Sequence, residues 1–266
     1  MDCWSGRRSS PYSGDICRPE TLRTNPMAPT RIAIVPARGG SKRIPNKNIR
    51  DFCGHPMISH ILHTARASDL FDIVHVSTED PRIAQMAEGL GFPVGFMRPA
   101  ELADDHTPLM PVLRHVVETF AARSQRFDEV WLLMACAPLI DTNDLHKGAS
   151  LFAQTGGHVP VMAVAAYPAP TEWAFERRQD GGLNPVQPGM FAVRSQDLAT
   201  KYFDTGTFYV YPERRVREST GAGDDHGYVG LVLSRHKAVD IDNEEDWQLA
   251  ELIFRSIGKS PQLKLS

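Results

Sequence analysis

The stretch "IAIVPARGGSKRIPNKN", residues 32–48, carries the strongest signal of the fold of this chain. Its first part is a short apolar run, and its second part is a loop with two glycines and four cationic side chains, Arg38, Lys42, Arg43 and Lys47. An apolar strand that runs directly into such a loop is typical of an α/β protein that binds an anion at the carboxyl end of the strand. We therefore expect a phosphate-bearing ligand here, with a solvated basic turn as the alternative.

The rest of the chain alternates short β-branched runs with longer amphipathic ones. We predict strands at 31–37, 71–78, 92–97, 129–135, 159–167 and 205–212, helices at 56–68, 79–91, 107–124 and 142–157, and a last strand that passes into a helix over 243–257. In the second helix, Asp80 is the expected N-cap, Pro81 the first residue and Gly91 the stop. Nearly continuous apolar strands between helices predict a mainly parallel sheet covered on both faces.

Composition excludes several classes of protein. A chain of 266 residues with 42% hydrophobic content is long enough for one α/β domain, and a net charge of −3 argues against nucleic-acid or membrane-surface binding. Four cysteines lie far apart without a C-x-x-C pair, at Cys3, Cys17, Cys53 and Cys136, so neither a zinc site nor a disulfide framework is indicated. No apolar run approaches the roughly 18 residues of a membrane span, and we expect a cytoplasmic protein.

The two ends of the chain differ in composition from its middle. Residues 1–30 are rich in Ser, Pro, Arg and Thr and lack periodicity, so we expect a disordered extension, with Met27 as an alternative start of translation and a partner-binding tail as an alternative role. The predicted catalytic domain comprises residues 31–258, and residues 259–266 are predicted to form a flexible tail.

A proline-containing segment over residues 167–202 interrupts the α/β order and indicates an inserted arm. It carries apolar side chains that a thin excursion cannot bury against its own domain: Trp173, Phe175, Met190, Phe191 and Val193. Such a segment requires a partner surface, and a symmetric exchange between two copies provides one. We therefore predict a homodimerisation arm, and the alternative is an arm folded back on its own sheet.

The loop over residues 36–48, which we call the phosphate loop, forms a rarer pattern than a glycine pair with nearby lysines. The loop matches neither G-x-x-x-x-G-K-[ST] nor G-x-G-x-x-G. It resembles the P-A-R-G-G-S-K-x-I-P-x-K-N motif of the cytidylyltransferases that activate sialic acids and related nonulosonic acids, and the resemblance extends from about residue 31 to residue 257. It is closest to the pseudaminic acid type, because Arg43 follows the lysine and because of "FMRPAELADDHT" (96–107) and "RSQDLATKYFDTGTFYV" (194–210).

This resemblance implies a Rossmann-like nucleotidyltransferase fold of glycosyltransferase-A type. It also implies the reaction of CTP with a nonulosonic acid, pseudaminic acid first, to give the CMP-sugar and pyrophosphate. The implied cofactor is Mg2+, with Mn2+ as a substitute. The implied partners are these two substrates and a second copy of the chain, without nucleic acid or membrane.

The resemblance also implies the site residues. Catalytic roles fall on Arg38, Lys47 and Asp240. The implied CTP-binding residues are Arg38, Gly39, Gly40, Ser41, Lys42, Lys47, Asn48, Arg98, Asp105 and Thr107. The implied sugar-binding residues are Met134, Ala135, Cys136, Gln196, Asp204, Gly206 and Phe208. The implied metal ligands are Asp240 and Asp242.

The metal assignment has support from the residues themselves. In "VDIDNEEDW", Asp240 and Asp242 alternate at a predicted strand end, so both side chains are expected on one face, where two carboxylates can share an oxygen-preferring cation. The alternative for Asp242 is the N-cap of the last helix.

One departure from the family bears on the sugar. Sialic acid enzymes typically carry L-L-Q-P-T-S-P after the third helix, whereas this chain has "LLMACAPLI", in which Met134 replaces the glutamine that would hydrogen-bond the sugar. This disfavours N-acetylneuraminic acid and leaves pseudaminic acid or a related 5,7-diamino nonulosonic acid. Two other functions stay open: a catalytically silent nucleotide-sugar-binding subunit, and a cytidylyltransferase for a 3-deoxy keto sugar acid.

Overall fold

A mixed sheet with helices on both faces forms the body of the protein. The structure, a computed structural model, describes residues 28–104 and 106–258, so most of the predicted N-terminal extension, the predicted C-terminal tail and Asp105 lie outside the described residues. The strands are β1 (Arg31–Pro36), β2 (Asp51–Phe52), β3 (His55–Pro56), β4 (Ile73–Ser77), β5 (Glu129–Leu133), β6 (Val161–Ala166), β7 (Phe175–Arg177), β8 (Leu183–Pro185), β9 (Tyr202–Pro212) and β10 (Val229–Val232). The helices are α1 (Met57–Ala67), α2 (Pro81–Gly89), α3 (Leu109–Ala122), α4 (Thr142–Gln154), α5 (Glu213–Glu218) and α6 (Glu244–Ser256).

The main sheet has six strands in the order β10-β6-β9-β5-β1-β4. Pairing is parallel between β1 and its neighbours β4 and β5 and between β6 and β10, whereas β9 runs antiparallel to β5 and β6. Helices α1, α2 and α4 pack on one face, and α3 and α5 pack on the other. The prediction of a mainly parallel sheet covered on both faces is therefore confirmed.

Strand β1 shows why the central strands are apolar without alternation. Ile32 and Ile34 point into the core beneath α3, Ala33 and Val35 point into the core beneath α1, and all four are fully buried. A strand enclosed by helices on both faces has no solvent side, so every position favours an apolar residue.

Two predicted helix starts agree with the structure in detail. Asp80 caps α2 by accepting from the backbone N–H of Arg82, with Pro81 as the first helical residue. In α6 the cap is Asn243, whose side chain accepts from the backbone N–H groups of Glu245 and Asp246. The alternative that made Asp242 the cap is therefore wrong, and its carboxylate is available for another role.

Two predicted strands are absent from the described residues, and one strand of the main sheet was not predicted. Residues 92–97 form no strand, because the segment passes around the edge of β4: Phe92 packs in the core of one face and Phe96 against the core of the other. Residues 238–242 form a loop after a 3-10 turn that ends at Lys237, and the alternation reflects buried Ile241 between two polar positions. The sheet edge is instead β10, four residues that follow a polar turn.

The segment between β6 and β9 is structurally distinct from the sheet. It contains the small antiparallel hairpin of β7 and β8, followed by two short 3-10 turns, and we call residues 167–201 the arm. Trp173 is half-buried and donates to the backbone carbonyl of Val193 at 3.1 Å, whereas Phe175 and Phe191 pair edge to face with much of their surface in solvent. The arm thus exposes much of the apolar content that the sequence indicated.

Candidate active site

A cavity of about 490 Å3 opens where β1 and β5 end, which is the expected ligand position of such a sheet. It brings together most of the predicted site residues: Arg38, Ser41, Lys42, Lys47, Asn48, Arg98, Thr107, Met134, Ala135, Cys136, Gly206, Asp240 and Asp242. These residues come from five separated parts of the chain. Their convergence is the main structural result for the site.

A small apolar cluster beneath the cavity joins three of its loops. Each loop contributes one aliphatic side chain that is almost fully buried: Ile44 from the phosphate loop, Leu139 from the loop after β5, and Ile241 from the loop before α6. Trp247 of α6 packs in the same cluster. Because each of these side chains is only a few residues from polar residues of the cavity, burial of the apolar cluster fixes the positions of the polar groups.

The phosphate loop is held by hydrogen bonds within the cavity wall. Asn48 donates from Nδ2 to the backbone carbonyl of Arg38 at 2.9 Å and accepts from the Cys136 thiol at 3.3 Å. The Arg38 guanidinium in turn donates from Nη1 to the backbone carbonyl of Asp104 at 3.3 Å. Burial raises the pKa of Cys136 to about 11, so at neutral pH this residue is a thiol donor rather than a thiolate.

The cationic and acidic sides of the cavity meet at the loop before α6. Lys47 donates to the backbone carbonyl of Ile241 at 2.6 Å, and Asp242 accepts from Arg43 at 2.8 Å. Asp240 is exposed toward the cavity, yet partial loss of water and the negative charge of Asp242 raise its pKa. Both aspartates line the same cavity, as expected. They do so from a loop and not from a strand.

Glu79, which the sequence did not single out, connects two walls of the cavity. Its carboxylate accepts from the backbone N–H of Gly39 at 2.7 Å and from Nη2 of Arg98 at 2.9 Å. In this structure the Gly39 N–H is therefore paired with a carboxylate. Glycine is required at this position for another reason, since a Cβ would lie 2.3 Å from a carboxylate oxygen of Asp80.

Arg98 is a buried cation and not a surface residue. It is 6% exposed, its Nε has no hydrogen-bond partner among the described residues, and burial lowers its pKa while Glu79 opposes that effect. Nearby, Asp104 accepts from the hydroxyl and backbone N–H of Thr107, and these bonds lower the pKa of Asp104. Apolar side chains of Leu109 and Val112 complete this wall. The wall therefore combines hydrogen-bond donors with apolar side chains.

An irregularity in β9 shapes the opposite wall. The register between β6 and β9 shifts between Met162 and Val164, and Gly206 in this region has φ +60°, a backbone conformation that favours glycine. The α-carbon of Gly206 lies beside Asp240, and a Cβ at this position would lie 3.8 Å from the carboxylate. The bulge therefore places backbone, and no side chain, beside the carboxylate.

The structure does not bring every predicted residue to the cavity. Phe208 is fully buried and stacks on Trp131 in the core, which leaves it no surface for a sugar. Asp204 is exposed and accepts hydrogen bonds from the Tyr209 hydroxyl and the Gly206 N–H, outside the cavity lining. Gln196 is exposed on the arm, and Gly40 is exposed on the loop with open space around it.

The balance of charge in the cavity favours an anion accompanied by a cation. Five cationic side chains line it (Arg38, Lys42, Arg43, Lys47 and Arg98), against three carboxylates (Asp104, Asp240 and Asp242). The carboxylates 240 and 242 lie at one end, so an electrostatically positive region is next to a site with hard oxygen ligands. Arg43 was not predicted as a site residue, although its positive charge within the motif could have identified it.

Comparisons with known proteins agree with this geometry. The family model for cytidylyltransferases matches residues 32–132. A pseudaminic acid cytidylyltransferase of Campylobacter jejuni is 33% identical over 224 residues, which cover 84% of this chain and 96% of that protein. A CMP-N,N'-diacetyllegionaminic acid synthase of Legionella pneumophila is 28% identical over 229 residues, covering 84% of this chain and 95% of that protein.

A solved structure supports the fold assignment. The structure of a CMP:2-keto-3-deoxy-manno-octonic acid synthetase complexed with CTP has a TM-score of 0.63 and 17% identity to this chain, and covers 86% of this chain and 99% of its own. The chain belongs to the cytidylyltransferase family, as its sequence motifs predicted. Within the described part of the chain, no helix is both long enough and apolar enough to span a membrane.

Proposed function

We propose that the protein transfers CMP from CTP to the anomeric hydroxyl of a nonulosonic acid and releases pyrophosphate. The observation that carries this proposal is the cavity at the carboxyl end of β1, in which the phosphate-loop cations lie opposite Asp240 and Asp242. A triphosphate needs both features, since its charge requires cations and its metal requires carboxylates. Pseudaminic acid is the proposed sugar, in line with the names of the relatives at 33% and 32% identity.

In this proposal the nucleotide binds along two walls of the cavity, the phosphate loop and the wall that contains Arg98. Arg38, Lys42 and Lys47 bind the triphosphate, and Ser41 lies beside them. Arg98 and Thr107 bind the cytidine, with Arg98 offering the Nε that has no partner among the described residues. Both guanidinium groups are held in place by neighbouring acceptors, that of Arg38 by the backbone carbonyl of Asp104 and that of Arg98 by Glu79, so the donors are oriented before the ligand arrives.

The chemical step is a displacement at the α-phosphorus. The anomeric oxygen forms a bond to the α-phosphorus, the bond to the bridging oxygen of the β-phosphate breaks, and the hydroxyl proton passes to solvent. Negative charge accumulates on the departing pyrophosphate, where Arg38 and Lys47 stabilise it. The protein contributes position and charge, and none of its side chains needs to form a covalent intermediate.

Asp240 and Asp242 would hold Mg2+, which Mn2+ can replace. The donor set fits, because these are two carboxylates that line one cavity. Partial burial, and then the negative charge of Asp242, raise the pKa of Asp240, and a bound cation would offset both effects. Asp242 is paired with Arg43 at 2.8 Å, so in this proposal Arg43 turns to the phosphates when the carboxylate takes the metal. A bound divalent cation would supply Lewis-acid polarisation of the phosphate oxygens.

The sugar side is assigned to the loop after β5 and to the β9 bulge. Met134, Ala135 and Cys136 line the cavity there, and Gly206 faces them from β9. Met134 offers no hydrogen bond of the kind that a glutamine would offer to a hydroxyl-rich sugar. This favours pseudaminic acid or a related 5,7-diamino nonulosonic acid over N-acetylneuraminic acid.

Pyrophosphate release tests the proposed function. The protein is assayed with each of CTP, UTP, ATP and GTP against pseudaminic acid, a legionaminic acid, N-acetylneuraminic acid and 3-deoxy-manno-octulosonic acid. We expect release with CTP and pseudaminic acid at the highest kcat/KM. CTP binding without release for any acid would instead make the chain a nucleotide-sugar-binding subunit.

We further propose that the arm forms a homodimer. Support comes from the apolar side chains that it exposes, Phe175, Leu183, Val186 and Phe191, which require a covering surface. In the dimer, Arg194 and Gln196 of one arm would reach the sugar site of the other subunit. A second copy of the chain is the proposed partner because two-fold symmetric homodimers are the commonest oligomers of soluble proteins.

Sedimentation of two variants tests the dimer. Phe191→Asp changes a side chain that is 69% exposed on the arm, and Leu252→Asp changes one that is 64% exposed on α6. We expect only Phe191→Asp to give a monomer, with loss of activity. A wild-type monomer that is fully active at micromolar concentration would refute the proposal.

The cytoplasm is the proposed location, since Cys53 and Cys136 are free thiols.

A further inference from the structure

The loop that carries Asp240 and Asp242 is tied to another part of the protein by one partly buried lysine. Lys237 lies in a short 3-10 turn after β10, and its ammonium group donates to Oδ2 of Asp141 at 2.5 Å and to Oδ2 of Asp144 at 2.6 Å. Its side chain is 13% exposed, and that of Asp144 is 6% exposed. Burial disfavours the ammonium, but the two carboxylates outweigh this effect and raise the pKa of Lys237.

The two carboxylates are themselves rigidly placed. They form the capping box of α4, in which Asp141 accepts from the backbone N–H of Asp144 at 3.1 Å and Asp144 accepts from that of Asp141 at 3.1 Å. Helix α4 begins just after the loop that carries Cys136 into the cavity. Lys237 therefore connects the loop before α6 to the start of a helix whose own position is fixed by the core.

The loop before α6 is held at several points besides Lys237: Lys47 donates to the backbone carbonyl of Ile241 at 2.6 Å, and Asp242 pairs with Arg43 at 2.8 Å. Residues 238–243 belong to no strand, Ile241 anchors the loop from below in the apolar cluster, and the backbone N–H of Asp242 donates to Asp246 at 3.0 Å. These contacts hold the centre and the far end of the loop. The near end, three residues before Asp240, is held by the ion pairs of Lys237 and by Val239, which packs against the same apolar cluster.

We propose that Lys237 is a positioning residue for the reaction, which holds Asp240 opposite the phosphate loop through its ion pairs with Asp141 and Asp144. Lys237 does not line the cavity formed by the described residues, so it acts without touching the substrates. The consequence for metal binding rests on the proposed role of Asp240. Groups that orient metal ligands typically change metal affinity or activity by about 10- to 100-fold when they are removed.

Three variants test this role. Lys237→Met removes the charge and keeps the apolar stem, and Lys237→Arg restores a cation. Arg31→Met is the matched control, because the Arg31–Glu129 pair is similarly buried, at 17% and 6% exposure, but lies at the amino ends of β1 and β5, away from the cavity. The readouts are deuterium uptake of peptides covering residues 233–243, Mn2+ binding in the presence of CTP by electron paramagnetic resonance, and kcat with KM for CTP.

For Lys237→Met we expect faster deuterium uptake over 233–243, an Mn2+ dissociation constant about 10-fold or more above that of the wild type, and a loss mainly in kcat. Lys237→Arg should recover part of each change, and Arg31→Met should lower the melting temperature without them. Unchanged uptake over 233–243, or an equal loss of Mn2+ affinity in Arg31→Met, would overturn the proposal. If the wild type binds no Mn2+, the metal role of Asp240 fails, and deuterium uptake and kcat still decide the role of Lys237.

Discussion

Removal of Glu79 should destabilise the protein more than its partly exposed position suggests. The carboxylate is the acceptor for two donors, the Gly39 N–H at 2.7 Å and Arg98 at 2.9 Å, and the Arg98 side chain is only 4% exposed. Glu79→Ala leaves this arginine as an uncompensated buried charge, for which breaking a buried pair costs about 3 to 5 kcal/mol. Because Glu79 keeps some contact with water, we expect about 3 kcal/mol, near the lower limit of that range.

A double variant separates the cost of the orphaned charge from other effects. Replacing both members of a buried pair by apolar groups is often close to neutral, so Glu79→Ala combined with Arg98→Met should recover at least half of the lost stability. Urea denaturation measures the free energy of unfolding, and pyrophosphate release measures activity, which should stay low in both variants. A loss below about 1 kcal/mol for Glu79→Ala, in the range of an exposed ion pair, or no recovery in the double variant would refute the reasoning.

Three other predictions follow from single residues. Lys47→Ala should lower transition-state stabilisation by roughly 2 to 4 kcal/mol, measured as kcat/KM, with a much smaller change in urea stability, and near-normal turnover would contradict its role. Burial, with smaller effects of His115 and Arg123, lowers the pKa of His75 to about 3. Since the unfolded chain binds this proton near pH ~6.5, stability present above that pH is lost as pH falls toward the folded value, by about 2 kcal/mol at pH 5, and His75→Phe should flatten this dependence in urea titrations. The raised pKa of Cys136 predicts iodoacetamide labelling on the order of 100-fold slower in the native than in the urea-unfolded protein, measured by mass spectrometry.

The fold was predictable because its strongest signals are local. The apolar run at 32–35 is buried on both faces, and Asp80 with Pro81 marks the start of α2 in the chain itself. The failures occur where a segment's partners are distant in sequence. Residues 92–97 alternate like a strand, but their aromatic side chains serve the cores on two faces of the sheet, and β10 is too short to stand out beside a polar turn.

The site was predictable to the extent that motifs carry it. The phosphate-loop motif and the aspartate pair identified residues that the structure gathers at one cavity. Glu79 was missed because its role arises only when β4 ends beside the phosphate loop, and no spacing in the chain reports that contact. Phe208 was assigned to the sugar because a motif gives proximity in sequence but not the face of the strand, and this side chain points into the core.

The most direct test of the account is the product of the reaction with CTP and pseudaminic acid. The protein is incubated with both substrates and Mg2+, and phosphorus NMR with mass spectrometry follows the phosphorus species over time. The account predicts pyrophosphate and the CMP-sugar in equal amounts, with the phosphodiester at the anomeric oxygen, and loss of both products in Asp240→Asn. Free CMP with pyrophosphate, CDP with inorganic phosphate, or full product formation by Asp240→Asn would contradict it.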